Sequence, residues 1–221
     1  MNVLQIVTTD DRSFFVDQVA ALERKGVNCD VLATSPGQQT YRSALGPVSR
    51  RLLPDPGHNA PYYVINALYA YPRVLTSVMN GEYDLVHTNS GLTAPFGLLQ
   101  PKRPIVQTFW GSDLMGNYLR GYYKHVSRHS ARYFDAVIVR NEEMRSALGG
   151  DAYVIPAGID MEKFRPIPQE EARRTVGWGD DKRHVLFPYP PEAPDEEGFS
   201  HERKRARKNY PLARRVVERA D

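Results

Sequence analysis

Four neighbouring residues, Trp110, Gly111, Ser112 and Asp113, bring together an aromatic ring, a pliant backbone position, a hydroxyl and a carboxylate. An aromatic face packs against apolar C–H edges, whereas hydroxyls and carboxylates exchange directional hydrogen bonds with hydroxyl groups. Such a set suits a ring-shaped ligand rich in hydroxyls. The competing reading is an ordinary turn whose aspartate caps the helix that follows. Asn89 and Ser90 offer further neutral donors and acceptors earlier in the chain. Arg12, at the end of Thr8-Thr9-Asp10-Asp11-Arg12, could reach a phosphate, and a plain surface loop explains it nearly as well. His87 lies inside an apolar run and reads as structural.

A second group is charged. Arg120, Lys124, Arg128 and Arg132 recur four apart, with His125 and His129 beside them, and so share one helical face. A solvated face accounts for this row. The alternative is an anionic partner: an acidic lipid surface, a lipid-linked acceptor or a phosphorylated sugar. The row is too short for nucleic acid, and the formal net charge of +3 does not demand it. His125 and His129 have metal-ligand spacing but no third ligand, so no metal site is expected.

These residues need a scaffold. Residues 2–7 form a compact apolar run, residues 13–25 have helical periodicity ending at Gly26, and residues 29–33 are apolar again. That is a βαβ unit. Residues 34–60 are punctuated by proline and glycine and read as loop, with one short strand near 49–53. A helix over 62–80 is interrupted at Pro72. Strands are expected at 83–88, 104–109, 135–139 and 152–155, and helices at 92–99, 117–133 and 142–148. The alternation predicts a doubly wound, mostly parallel Rossmann-like α/β sheet. Asn89-Ser90 and Trp110–Asp113 then fall at the carboxyl ends of strands, where such sheets bind ligands.

Beyond this domain the pattern changes. Residues 166–183 read as a linker with a short helix at 170–176. Residues 184–188 read as a fresh strand, 190–208 as a charged flexible loop, and 211–219 as a helix. The single cysteine, Cys29, excludes an internal disulfide and fits a reducing, cytoplasmic setting. The apolar start is short, lacks a basic lead and reads as a strand, and no apolar stretch reaches membrane-spanning length. Peripheral membrane contact stays open.

Four segments together resemble the retaining glycosyltransferases of GT-B family 4. They are Tyr83-Asp84-Leu85-Val86-His87-Thr88-Asn89, the run from Pro104 to Asp113, Phe134-Asp135-Ala136-Val137-Ile138-Val139, and the run Val154-Ile155-Pro156-Ala157-Gly158-Ile159-Asp160 through Phe164 to Pro166. The last, similar to the family's interdomain segment, is the most specific. Order and spacing match from residue 1 to about 190. Arg207-Lys208-Asn209 is then similar to the family's donor-phosphate segment, with asparagine in place of glycine.

The resemblance implies an acceptor-side domain over 1–165, the linker 166–183, and an incomplete start of the donor-side domain over 184–221. It implies hexosyl transfer from a UDP- or GDP-sugar to a glycan, lipid-linked or small-molecule hydroxyl acceptor, with no cofactor and no bound divalent ion. It places Asp113 at the catalytic cleft, Asn89, Ser90, Trp110, Gly111 and Ser112 on the acceptor, and Arg207 and Lys208 on donor phosphates, where Arg12 is a further candidate from its own chemistry. Two departures stand out. The turn after the first strand has no glycine, and Trp110 occupies the position of a frequent family histidine. The family's paired donor-side glutamates fall beyond residue 221. The chain alone is therefore expected to be inactive, completed by a missing domain or a second chain. A non-catalytic glycan- or subunit-binding role is the alternative. An epimerase or hydrolase is less favoured, because neither a dinucleotide glycine fingerprint nor a G-x-S-x-G elbow is present.

Overall fold

Residues 3 to 7 alternate between two buried faces, and that alternation sets the layers of the molecule. Asn2–Val7 (β1) turns Val3 and Val7 to one side and Leu4 and Ile6 to the other, all nearly inaccessible to water. A strand buried on both faces needs helices on both. The computed structural model describes residues 1–8, 13–34, 60–115, 122–162, 164–179, 184 and 210–219. Arg12, Arg120, Arg207 and Lys208 lie outside these residues, as do the expected strand near 49–53, the loop 190–208 and all but the first residue of 184–188.

Ser13–Arg24 (α1) follows β1 and leads to Asn28–Ala33 (β2). Ala60–Asn80 (α2), Leu85–Asn89 (β3), a 3₁₀ turn at Gly91–Thr93 and Ala94–Leu98 (α3) come next. Ile105–Thr108 (β4), Ser112–Met115 (α4), Tyr122–Ser130 (α5) and a 3₁₀ turn at Ala131–Tyr133 precede Ala136–Val139 (β5), Glu142–Leu148 (α6) and Tyr153–Val154 (β6). Among the described residues the strands make one parallel sheet in the order β2-β1-β3-β4-β5-β6. The order reverses at β1, which gives a crevice at the carboxyl ends of β1 and β3. This is the doubly wound, Rossmann-like parallel sheet that the alternation predicts.

Each face has its own core. On one, Phe15 and Val19 of α1 pack on Val3, Val7, Cys29 and Val31. On the other, Ala70, Val74 and Val78 of α2 and Phe96 of α3 cover Leu4, Ile6, Leu32, Val86 and Ile105. That layer continues as Leu114, Met144 and Leu148 close over Phe109, Val137 and Val139. α6 is bounded as its sequence dictates. The Asn141 side chain accepts from Met144 N–H at one end, and Gly149 turns left-handed at the other.

Pro72 does not interrupt α2, which runs on through it. Proline removes the hydrogen bond to the carbonyl four residues back. Here Leu68 and Pro72 are both exposed while Ala70, Val74 and Val78 are buried, so the orphaned carbonyl lies on the solvent side. The expected helix over 117–133 is α5 followed by the 3₁₀ turn, and residues 116–121 are not described.

The chain divides into two compact units, Met1–Asp160 and Met161–Asp221. In the second, Gln169–Val176 (α7) is closed by a left-handed Gly177, and Trp178 stacks on His184 with ring centres 4.5 Å apart. Tyr210–Glu218 (α8) carries exposed Leu212, Val216 and Val217. No helix among the described residues is long and apolar enough to cross a membrane.

Candidate functional site

The carboxyl ends of β3 and β4 are tied together by one side chain. Asp113, in the first turn of α4, is 3 % exposed. Its Oδ2 accepts from Trp110 N–H at 2.9 Å and from Gly91 N–H at 3.1 Å. The first bond braces the loop leaving β4, and the second crosses to the loop leaving β3. Burial pushes the Asp113 carboxyl above its usual value, opposed by the Trp110 and Gly91 N–H groups and by the Ser112 hydroxyl.

The β3 loop is bent to meet this anchor. Ser90 has φ 88° and ψ 141°, a conformation that side-chain-bearing residues rarely adopt. Several bonds hold it. Its N–H donates to Thr108 O at 2.8 Å, its Oγ accepts from Leu92 N–H at 3.3 Å, and Thr93 Oγ1 lies 2.8 Å from its carbonyl. A Cβ on Gly91 would come within 2.7 Å of Ser127 Oγ and 2.9 Å of Tyr123 Oη, so the loop packs closely against α5 at this glycine and a larger residue would have to displace those side chains. On the β4 side, Gly111 has φ +116° and its carbonyl accepts from Met115 N–H at 2.7 Å, starting α4.

Behind the loops lies a buried polar layer within the sheet. Asn89 Nδ2 donates to Gln5 Oε1 at 2.8 Å. His87 Nε2 sits 2.7 Å from Thr108 Oγ1, and Thr88 Oγ1 donates to Gln107 Oε1 at 2.6 Å. These bonds cross from β1 to β3 and from β3 to β4, adding register to the ladder. His87 is pulled down to about 4, by burial and then by the nearby Arg140 charge, and is neutral at physiological pH.

Trp110 stands at the rim between two partners. The ring of Phe14 on α1 lies 4.6 Å away, tilted by 48°. The guanidinium of Arg140, at the carboxyl end of β5, sits 3.9 Å from its ring centre. Arg140 donates from one terminal nitrogen to Gln18 Oε1 at 3.2 Å and from the other to Ile155 O at 3.3 Å. Burial lowers its pKa from the ordinary guanidinium value.

The expected residues thus separate. Ser90, Trp110, Gly111 and Ser112 are partly or fully accessible at the carboxyl edge, whereas Asn89 and Asp113 are buried behind it. The sequence reading missed Arg140, Gln18 and Phe14. They reach Trp110 from β5 and α1, and no spacing in the chain announces that contact. Among the described residues no cluster of three metal-ligating side chains occurs.

This geometry can be set beside known proteins. The family model described as Glycosyltransferase Family 4 matches residues 13–163. The chain belongs to glycosyltransferase family 4. The match takes in both carboxyl-edge loops of this family 4 chain, along with every strand of the sheet except β1. No curated protein matches the sequence. Among solved structures, a sucrose-phosphate synthase from Thermosynechococcus elongatus is similar at 19 % identity and a TM-score of 0.48, over 74 % of this chain and 92 % of that one. That likeness is too slight to bear on the substrate of this family 4 protein.

Proposed function

We propose that residues 1–160 form the acceptor side of a hexosyltransferase, which moves a hexose from a UDP- or GDP-sugar to a hydroxyl acceptor held on the loops after β3 and β4. The observation that carries this reading is the pinning of the two loops by the buried Asp113 carboxylate. A hydroxyl nucleophile must be held in a fixed geometry at the reacting carbon, and that positioning is a large part of the rate. Loops tied at their bases offer it. The residues with solvent access at this edge, Ser90, Trp110 and Ser112, are neutral and suit hydroxyl recognition.

In this reading Asp113 and Asn89 act as positioning residues. Departure of the nucleoside diphosphate requires cationic groups and N–H donors; family resemblance gives that part to Arg207 and Lys208, and the place of Arg12 after β1 adds a third candidate. The reading also takes the protein to work in a reducing, cytoplasmic setting, supported by its single, buried cysteine.

Two measurements test it. The chain holds two tryptophans, so the Trp178→Phe variant leaves Trp110 as the only indole. Hydroxyl acceptors, glycans and glycosides first, should change its emission saturably. The chain is then incubated with those acceptors and a panel of UDP- and GDP-hexoses, and products are sought by mass spectrometry. A hexosylated product made at an enzymatic rate establishes transfer by the chain itself. Acceptor binding with no product under any donor favours the non-catalytic glycan-binding role. If nucleotide sugars alter Trp110 emission and acceptors do not, the acceptor-side assignment fails.

A further inference from the structure

We infer that Arg140 is an oxyanion-binding residue at the carboxyl edge, so that the acceptor held beside Trp110 carries a phosphate or carboxylate. This deepens the proposed acceptor-side reading and rests on it.

The inference begins with an imbalance. A guanidinium has five N–H donors and a permanent charge. At Arg140 both hydrogen bonds end on neutral oxygens, the Gln18 amide and the Ile155 carbonyl. Its Nε is buried and has no acceptor. No carboxylate pairs with it among the described residues. Withdrawing an unpaired charge from water is costly, and burial already draws its pKa down. Arg103 shows the contrast. It is more exposed, yet it bonds the Asp135 carboxylate at 3.0 Å.

The placement is as informative as the lack of a counter-charge among the described residues. Gln18 comes from α1, Ile155 from the end of β6, and Trp110 from the β4 loop, so three separate elements fix one side chain. Stacking on an indole holds the guanidinium plane and leaves its edge available to bond. Once Gln18 and Ile155 are served, each terminal nitrogen retains one hydrogen. Such a partly buried, immobilised guanidinium suits the charged oxygens of phosphate or carboxylate. The neighbouring His87 is neutral and adds no second cation. Trp110 touches Arg140 directly, so a sugar ring lying against the indole edge would bring its anionic substituent within reach.

The test uses the full chain and follows the Arg140 side-chain Nε–H resonance, assigned by its loss in Arg140→Lys. The probes are glucose, glucose 6-phosphate, glucuronate and UDP. The expected result is that glucose 6-phosphate or glucuronate shifts this resonance and binds at least about tenfold tighter than glucose, a difference of about 1.4 kcal/mol. Arg140→Lys should lose that advantage, because lysine cannot stack and fork in the same way. Should Arg140→Lys fail to fold by circular dichroism, wild-type affinity for the anionic probe must still fall with added salt while affinity for glucose holds. Equal affinity for charged and neutral sugars, a silent Arg140 resonance, or no anion binding overturns the inference. A larger response to UDP overturns it too, by moving the site to the donor. Neutral glycosides that perturb Ser90–Leu92 without involving Arg140 would sink this inference and leave the acceptor-side reading standing. If no carbohydrate perturbs those loops, both fail.

Discussion

Asp113 can be tested apart from any reaction. Its Oδ2 serves two backbone N–H groups with little solvent access. Leaving a buried donor unpaired costs about 1–3 kcal/mol each. Asp113→Ala should therefore lose roughly 2–6 kcal/mol of stability. Asp113→Asn keeps an acceptor oxygen and removes a charge that burial disfavours, and should stay within about 1 kcal/mol of wild type. Urea midpoints read both. Equal and large losses in the two variants would mean that the charge, not the acceptor, holds the loops.

His87 gives a pH prediction whose sign is fixed by burial. Its pKa in the folded protein, about 4, lies below that of an exposed histidine, near 6.5. The unfolded chain thus takes up a proton first as pH falls. The stability contributed by neutral His87 is complete above about pH 6.5 and is lost down to about pH 4. Between neutral pH and about pH 5 the loss is roughly 2 kcal/mol. Asp113 works the other way, since its raised pKa favours folding as pH falls. Subtracting the same profile for His87→Gln isolates the histidine. A difference that does not change over this range would show that His87 titrates normally.

At the scale of elements, Gly111 and Gly26 form a matched pair. Both have positive φ, +116° and +81°, and neither would clash on gaining a Cβ. Alanine at either position should cost about 1–2 kcal/mol from backbone strain alone. Only Gly111→Ala should also weaken acceptor binding, because only Gly111 shapes the β4 loop. Equal acceptor affinity in the two variants would remove that loop from the site.

The elements were mostly legible from the chain, and the exceptions have physical causes. β1, α1 and α6 carry strong periodicity and clear ends, and they form as read. α2 was read as broken because Pro72 is a breaker in isolation, yet the proline faces solvent and packing of the opposite side carries the helix through. The loop Trp110–Asp113 was legible as a candidate site from residue types. Which of its groups face outward was not, because the Asp113 bonds depend on how close the β3 loop lies. Arg140 was invisible for the same reason. It meets Trp110 only through the β4–β5 pairing, and Gln18 joins from 122 positions away. Asn89 fits the expected position at a strand end but turns inward to Gln5, a matter of side-chain parity within β3.

At the scale of the molecule, the sheet order places the switch crevice and both braced loops on one edge, and family 4 membership makes glycosyl transfer the lineage to which that edge belongs. The opposite, amino edge has a hollow of about 300 Å³ bordered by Asn2, Asp30 and Tyr83, with the Tyr83 hydroxyl donating to Asp30 at 2.9 Å. The two edges are therefore rival locations for a ligand, and backbone amide chemical shifts distinguish them in one titration. With a hydroxyl acceptor that binds, the largest shifts should fall on Ser90 to Leu92 and Trp110 to Ser112, and Asp113→Ala should abolish them while Asp113→Asn retains them. Shifts centred on Asn2, Asp30 and Tyr83, or loop shifts that survive unchanged in Asp113→Ala, would contradict the claim that a carboxylate-braced carboxyl edge holds the acceptor.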